Sequence, residues 1–165
     1  MRLASADVAA PFVQDVLARD GSAWVRESTD SMTPLVRAGD RLRLAPIDRA
    51  HVHPGAVVAY RRGAHLIVHR VLACDTAGVV TKGDALPSRD EPVPWHAVVG
   101  RVVTLADDAG GRQHELTVFP WPLLGRLVAW LSRLAEAVGA KATPWRRAGW
   151  LLARLPVHVI ARVAR

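Results

Sequence analysis

Apolar residues recur along this chain with two different periods, and the change between them falls at Pro120. From residue 22 to residue 106 the spacing is mostly two. "RLRLAP", after Gly39-Asp40, alternates as a strand with one buried face does. "SAWVRES" (22–28), "AVVAY", "LIVHRVLA", "GVVTKGD" and "HAVVGRVVTLA" are further strand-like runs between Gly and Pro punctuation. Pro54-Gly55 and Arg62-Gly63 read as turns, and "ALPSRDEPVPW" as a Pro-rich loop. Five or six short strands are predicted, in a mainly β, coiled antiparallel sheet or partial barrel.

Two stretches keep helical spacing instead. Val8, Phe12, Val13, Val16 and Leu17 predict a short amphipathic helix over 6–18, ended by Gly21. Beyond Pro120, Leu124, Leu127, Val128, Leu131, Leu134 and Val138 predict one apolar stripe along a helix over 121–140. Thr143-Pro144 would cap and open a second basic amphipathic segment, kinked near Pro156. The chain therefore divides into a β domain over 1–115 and an amphipathic helical tail over 116–165.

Charge sharpens that division. Residues 1–115 hold fourteen Lys/Arg and fourteen Asp/Glu, whereas 116–165 hold eight basic residues and one acid, Glu136. The net charge of +7 belongs to the tail, which suits an acidic partner surface. Trp121, Trp145 and Trp150 also fall there. Trp at a boundary, Leu below and Arg above describe a helix lying in a membrane interface. A helical cover over the β domain and a partner-protein dock remain as alternatives. The Leu/Val content exceeds what phosphate contact requires, so no nucleic acid is expected. No stretch has the roughly 18 uncharged apolar residues of a spanning helix, and Asp7 and Asp15 interrupt any secretory signal. The expectation is a cytoplasmic protein, peripheral at a membrane. Cys74 is alone and reads as a small buried hydrophobe. His65 with His69, and His51 with His53, share strand faces without a matching carboxylate or thiolate, so neither a metal nor another cofactor is expected.

The chemistry concentrates around "TDSMTPLVRAGDRLRL", residues 29–44. A serine hydroxyl becomes a nucleophile only when a base removes its proton. His69, in mid-strand within "LIVHRV", carries an imidazole, the side-chain type that commonly serves as such a base, and Asp84 or Asp90 could orient it. Serine, histidine and aspartate are common residues, so spacing alone does not select this set. The ordered blocks "SMTP…GD", "VHRV", "TKGD" with a second Asp six residues on, and "VVGRV" do more. Over roughly residues 22–105 they resemble the signal peptidase I superfamily, which includes the self-cleaving SOS-type repressors.

The resemblance implies a coiled, mostly antiparallel β fold and a serine endopeptidase acting on a precursor peptide or protein. It implies Ser31 as nucleophile and His69 as general base, as in the archaeal and endoplasmic-reticulum branch, where most bacterial enzymes have lysine. Asp84 and Asp90 match the two acids of that site; Asp90 is favoured as the His-orienting one and Asp84 as hydrogen-bonding support. Thr29 would donate to the oxyanion beside the Ser31 N–H, and Met32 would line the binding cleft. Substrate would lie extended, with small side chains next to the cut. Ala85 stands where the family usually has Asn, no spanning helix precedes Ser31, and 116–165 has no counterpart. A non-catalytic peptide-binding module on the same scaffold is the competing reading. A self-cleaving repressor would need a DNA-binding domain that thirty residues before the serine do not supply.

Overall fold

The computed structural model describes residues 10–107 and 112–139. Helix α1 covers Ala10–Asp20. It buries Ala10, Val13 and Leu17, and Gly21 ends it in the left-handed conformation that glycine adopts freely. Residues 6–9 of the expected span lie outside the described residues. Eight strands follow: β1 Ala23–Arg26, β2 Arg41–Ala45, β3 Val57–Arg62, β4 His65–Cys74, β5 Gly78–Lys82, β6 Val93–Pro94, β7 Val98–Ala106 and β8 Gln113–Glu115. Helix α2, Trp121–Gly139, completes the described chain. The second basic segment expected beyond Thr143 lies outside it.

All eight strands form one open antiparallel sheet, ordered β1-β2-β7-β3-β4-β5-β6, with β8 attached to β7. The mainly β reading holds, with two more strands than the periodicity predicted. β6 has two residues and β8 three, too few to leave a repeat in the sequence. β7 is the spine. One edge pairs with β2, and the other pairs with β3 near Val98–Arg101 and then with β8 from Thr104 to Ala106. Thr104 secures β8 by donating to Glu115 Oε1 at 2.8 Å while accepting from Arg43 Nε at 2.8 Å.

Two apolar cores lie on opposite faces of the sheet. One joins α1 to β1, β2, Met32 and Val36; the other gathers Tyr60, Val71, Val79 and Trp95. β3 serves both, Val57 and Ala59 entering the first and Val58 and Tyr60 the second. A strand buried on both faces needs no polar alternate, which is why "AVVAY" is a continuous apolar run. Cys74 is exposed rather than buried as expected, because it is the last residue of β4, still paired with Val79 but at the end of the strand.

α2 lies against β4. Its single expected stripe is split in two. Val128 is buried and Leu124 and Leu131 half-buried, whereas Leu127 and Leu134 face outward with Leu123 and Trp130. Val138 lies outside the described side chains. The docked face is centred on Gly125, because the backbones of Gly55 and Gly125 touch. A Cβ on Gly125 would stand 2.5 Å from Gly55 O, and Gly55 itself has φ +99°. Among the described residues no helix is long and apolar enough to cross a membrane.

Gly125→Ala therefore sets two effects against each other. It gains about 1 kcal/mol of helix propensity, but drives a methyl group into immobile backbone, at roughly 1–3 kcal/mol or more. A lowered denaturant midpoint is expected; a raised one would mean that α2 is not seated on Gly55.

Candidate active site

Ser31 sits on the turn that β1 runs into. The turn is closed by bonds from Thr33 N to Asp30 O at 3.1 Å and from Val36 N to Met32 O at 3.1 Å. Its main chain is held from a second direction, since Ala85 N donates to Ser31 O at 2.8 Å. The "TKGD" loop after β5 thus grips the serine-bearing turn directly. Gly83 is where the two meet. A Cβ there would lie 2.7 Å from Ser31 O and 2.9 Å from His69 Nε2. Glycine lets the serine turn and the imidazole close on the same point.

His69 is on β4, whose pleat sends adjacent side chains to opposite faces. It is 4% exposed, and its Nδ1 lies 2.6 Å from Asp90 Oδ2. An ionised carboxylate only accepts, so Nδ1 carries the hydrogen and the neutral ring keeps its lone pair on Nε2. That is the atom facing Gly83 and the Ser31 turn. Asp90 is fixed in turn by its backbone N–H on Thr81 O and by the Thr81 hydroxyl at 2.7 Å. Burial alone would push its carboxyl up, but the bonds from His69 and Thr81 outweigh it and hold Asp90 below the ordinary carboxylate range.

Asp84 does different work. It takes both ends of the Arg70 guanidinium, Nε at 2.8 Å and Nη2 at 2.7 Å, in an almost fully buried pair. Arg70 Nη1 also donates to Gly55 O at 2.8 Å. Asp84 thus anchors the far face of β4 and the seat of α2, rather than bonding to His69. Met32 is fully buried in the core behind the serine turn instead of lining the cleft, because its thioether packs among the apolar side chains of that core.

Ser31, Thr29 and His69 line one cavity of about 240 Å³, walled by Val25, Glu27 and Val68 among others. Thr29 Oγ1 lies 3.1 Å from Ser31 Oγ and donates to Glu27 Oε1 at 2.8 Å. In this state the Thr29 hydroxyl hydrogen is engaged by a carboxylate. Glu27, Tyr60, Thr81 and Arg70 escaped the sequence reading. Tyr60 and Thr81 join His69 only through strand register: Val58 pairs with His69, and Thr81 with Val71. The Tyr60 and His69 rings meet edge to face at 6.2 Å. Only Glu27 left a signal, as a charged residue at an inward position of an alternating strand. Among the described residues no three His, Cys, Asp or Glu side chains converge to hold a metal ion.

No protein-family model matches this chain, and no curated protein matches it in sequence. The geometry therefore carries the functional argument alone.

Tyr60 offers a clean probe of it. Burial, and then the Asp90 charge, push its phenol up to about 12. An unfolded chain would lose that proton near pH ~10, so folding stability falls as pH rises from there towards the folded value. Tyr60 is the chain's one tyrosine. Tyrosinate absorbance should show no step near pH 10 while the protein is folded; a normal step there would place Tyr60 in solvent, away from Asp90.

Proposed function

We propose that this protein is a serine endopeptidase, on a scaffold of signal-peptidase type, that removes a leader or signal segment from a peptide or protein precursor. One observation carries the reading: an imidazole locked by Asp90 at Nδ1 points its free nitrogen at the glycine packed on Ser31. In this reading Ser31 Oγ attacks the scissile carbonyl and His69 Nε2 takes its proton. The imidazolium, steadied by Asp90, then protonates the leaving amine, and water resolves the acyl-enzyme by the same route. The Ser31 N–H and the Thr29 hydroxyl are the oxyanion donors. Thr29 must turn its hydrogen from Glu27 for that task. The Arg70–Asp84 pair supports the reaction at a distance, by holding the loop that grips Ser31.

Ser31→Ala and His69→Ala are each expected to abolish peptide cleavage and labelling by an acylating serine probe, with the fold intact. Asp90→Asn should cost on the order of 10⁴ in kcat, because an amide does not impose the Nδ1–H tautomer. Labelling that survives in His69→Ala, or that persists without Ser31, would overturn the assignment.

A peptide-binding module without catalysis is the second reading. β1 is the outermost strand of its edge of the sheet, and the cavity begins where it ends, so a peptide could extend the sheet there. The same probe separates the two, since an unactivated hydroxyl stays unlabelled.

The outer face of α2 gives the protein a place to work. Leu123, Leu127, Trp130 and Leu134 form an exposed stripe at helical spacing, with Phe119 79% exposed at its start and Arg126 and Arg133 beside it. The charge of the tail matches an anionic lipid surface, at about 1 kcal/mol per basic residue near it. The full chain should sediment with vesicles containing anionic lipid and not with neutral ones. Trp130→Asp should release it. Equal recovery with both vesicle types would remove the membrane from the proposal.

A further inference from the structure

Glu27 lines the candidate site, yet its carboxylate takes no step in the hydrolytic mechanism. It follows β1, in which Ala23 and Val25 are buried while Trp24 and Arg26 are half-exposed, and it continues the inward set. An inward position of this kind ordinarily holds an apolar side chain. Here it holds a carboxylate that is 6% exposed. The backbone leaves it little freedom, since Glu27 N donates to Asp40 O and Gly39 N donates to Glu27 O, both at 2.8 Å.

That carboxylate lies on the wall of the cavity that Ser31 and His69 share. The rest of the wall includes Val25, Leu66, Ile67 and Val68, and Glu27 is the only carboxylate among the described lining residues. Among the described residues, its side chain accepts hydrogen bonds only from the Thr29 N–H at 3.0 Å and the Thr29 hydroxyl at 2.8 Å, both at Oε1. Among the described residues no hydrogen bond reaches Oε2, which stays open to the cavity side. Arg26 borders the same cavity and is engaged in an interaction of its own. A buried carboxylate beside apolar walls is costly unless a cation or strong donor meets it. One hydroxyl separates it from the nucleophile, so the group that meets it belongs to the bound peptide.

We propose that Glu27 is a specificity-determining residue. It selects peptides with a lysine or arginine on the N-terminal side of the scissile bond, at the residue whose side chain enters this cavity. The aliphatic stem of such a side chain lies along Val25 and Val68, and its charged head reaches Oε2. The cavity is larger than the small side chains implied by the signal-peptidase resemblance would fill. A site built around a buried charge rejects a ligand that leaves the charge unpaired far more strongly than it rejects a missing methylene.

The inference rests on the endopeptidase reading, and the test separates the two. Peptides with Lys, Arg, norleucine or Ala at each of the three positions before the cut are compared on the full chain, wild type and Glu27→Gln. Glutamine keeps an oxygen for Thr29 and removes the charge. At one position Lys or Arg should exceed norleucine in kcat/KM by about tenfold or more, and Glu27→Gln should erase that margin. Binding of the Lys peptide to Ser31→Ala, read by calorimetry, should weaken about tenfold when Glu27→Gln is added. A probe-labelled enzyme that favours Ala, or whose basic preference survives in Glu27→Gln, overturns the specificity proposal and leaves the protease standing. Absence of both labelling and cleavage overturns both.

Discussion

Two neighbouring residues of β4 organise this molecule. The strand pleat sends His69 to one face of the sheet and Arg70 to the other, and a single loop after β5 returns a carboxylate to each. Asp90 meets the imidazole and Asp84 the guanidinium. Each is buried and charge-assisted, so each is costly to break from one side: an ion left without its partner in the interior is worth several kcal/mol of destabilisation. The loop between them cannot drift without breaking one or the other.

That shared loop couples the His69 face of β4 to the Arg70 face. Asp84 fixes Arg70, Arg70 reaches Gly55 O, and Gly55 receives α2 at Gly125. On the opposite side, Gly83 packs on the His69 ring while Ala85 holds the Ser31 carbonyl. The serine turn, the imidazole and the helix are thereby positioned from one segment of chain. For the proposed reaction, preorganisation of this kind would keep the groups near a productive geometry without a reorganisation cost at the moment of reaction. It also explains why glycine occupies positions 55, 83 and 125, where any Cβ would meet backbone or the imidazole.

The polar residues around Ser31 are not all aligned with the proposed catalysis. Thr29 offers its hydrogen to Glu27, an anion, rather than to the neutral Ser31 hydroxyl 3.1 Å away, because a charged acceptor wins over a neutral one. The resting site is therefore a competition between two acceptors for one hydroxyl. In the proposed mechanism, a cationic side chain bound at Glu27 would weaken its hold on Thr29 and so link peptide recognition to oxyanion stabilisation.

The sequence by itself determined the architecture at the level of periods. Alternation over 22–106 produces strands because a half-buried pleat needs it, the 3.6-residue spacing after Pro120 produces α2, and His69 in mid-strand is buried as its apolar neighbours require. It also singled out Ser31, His69 and Asp90 as residues worth bringing together. Tertiary structure alone decided the rest. Register, set by side-chain packing far along the chain, put Tyr60 and Thr81 around Asp90 and assigned Asp84 to Arg70 rather than to His69. Strands of two or three residues carry no period, so β6 and β8 exist only because neighbours template them. A helix periodicity cannot say which of two apolar faces will find a partner, and for α2 that choice was made by two glycines seventy residues apart.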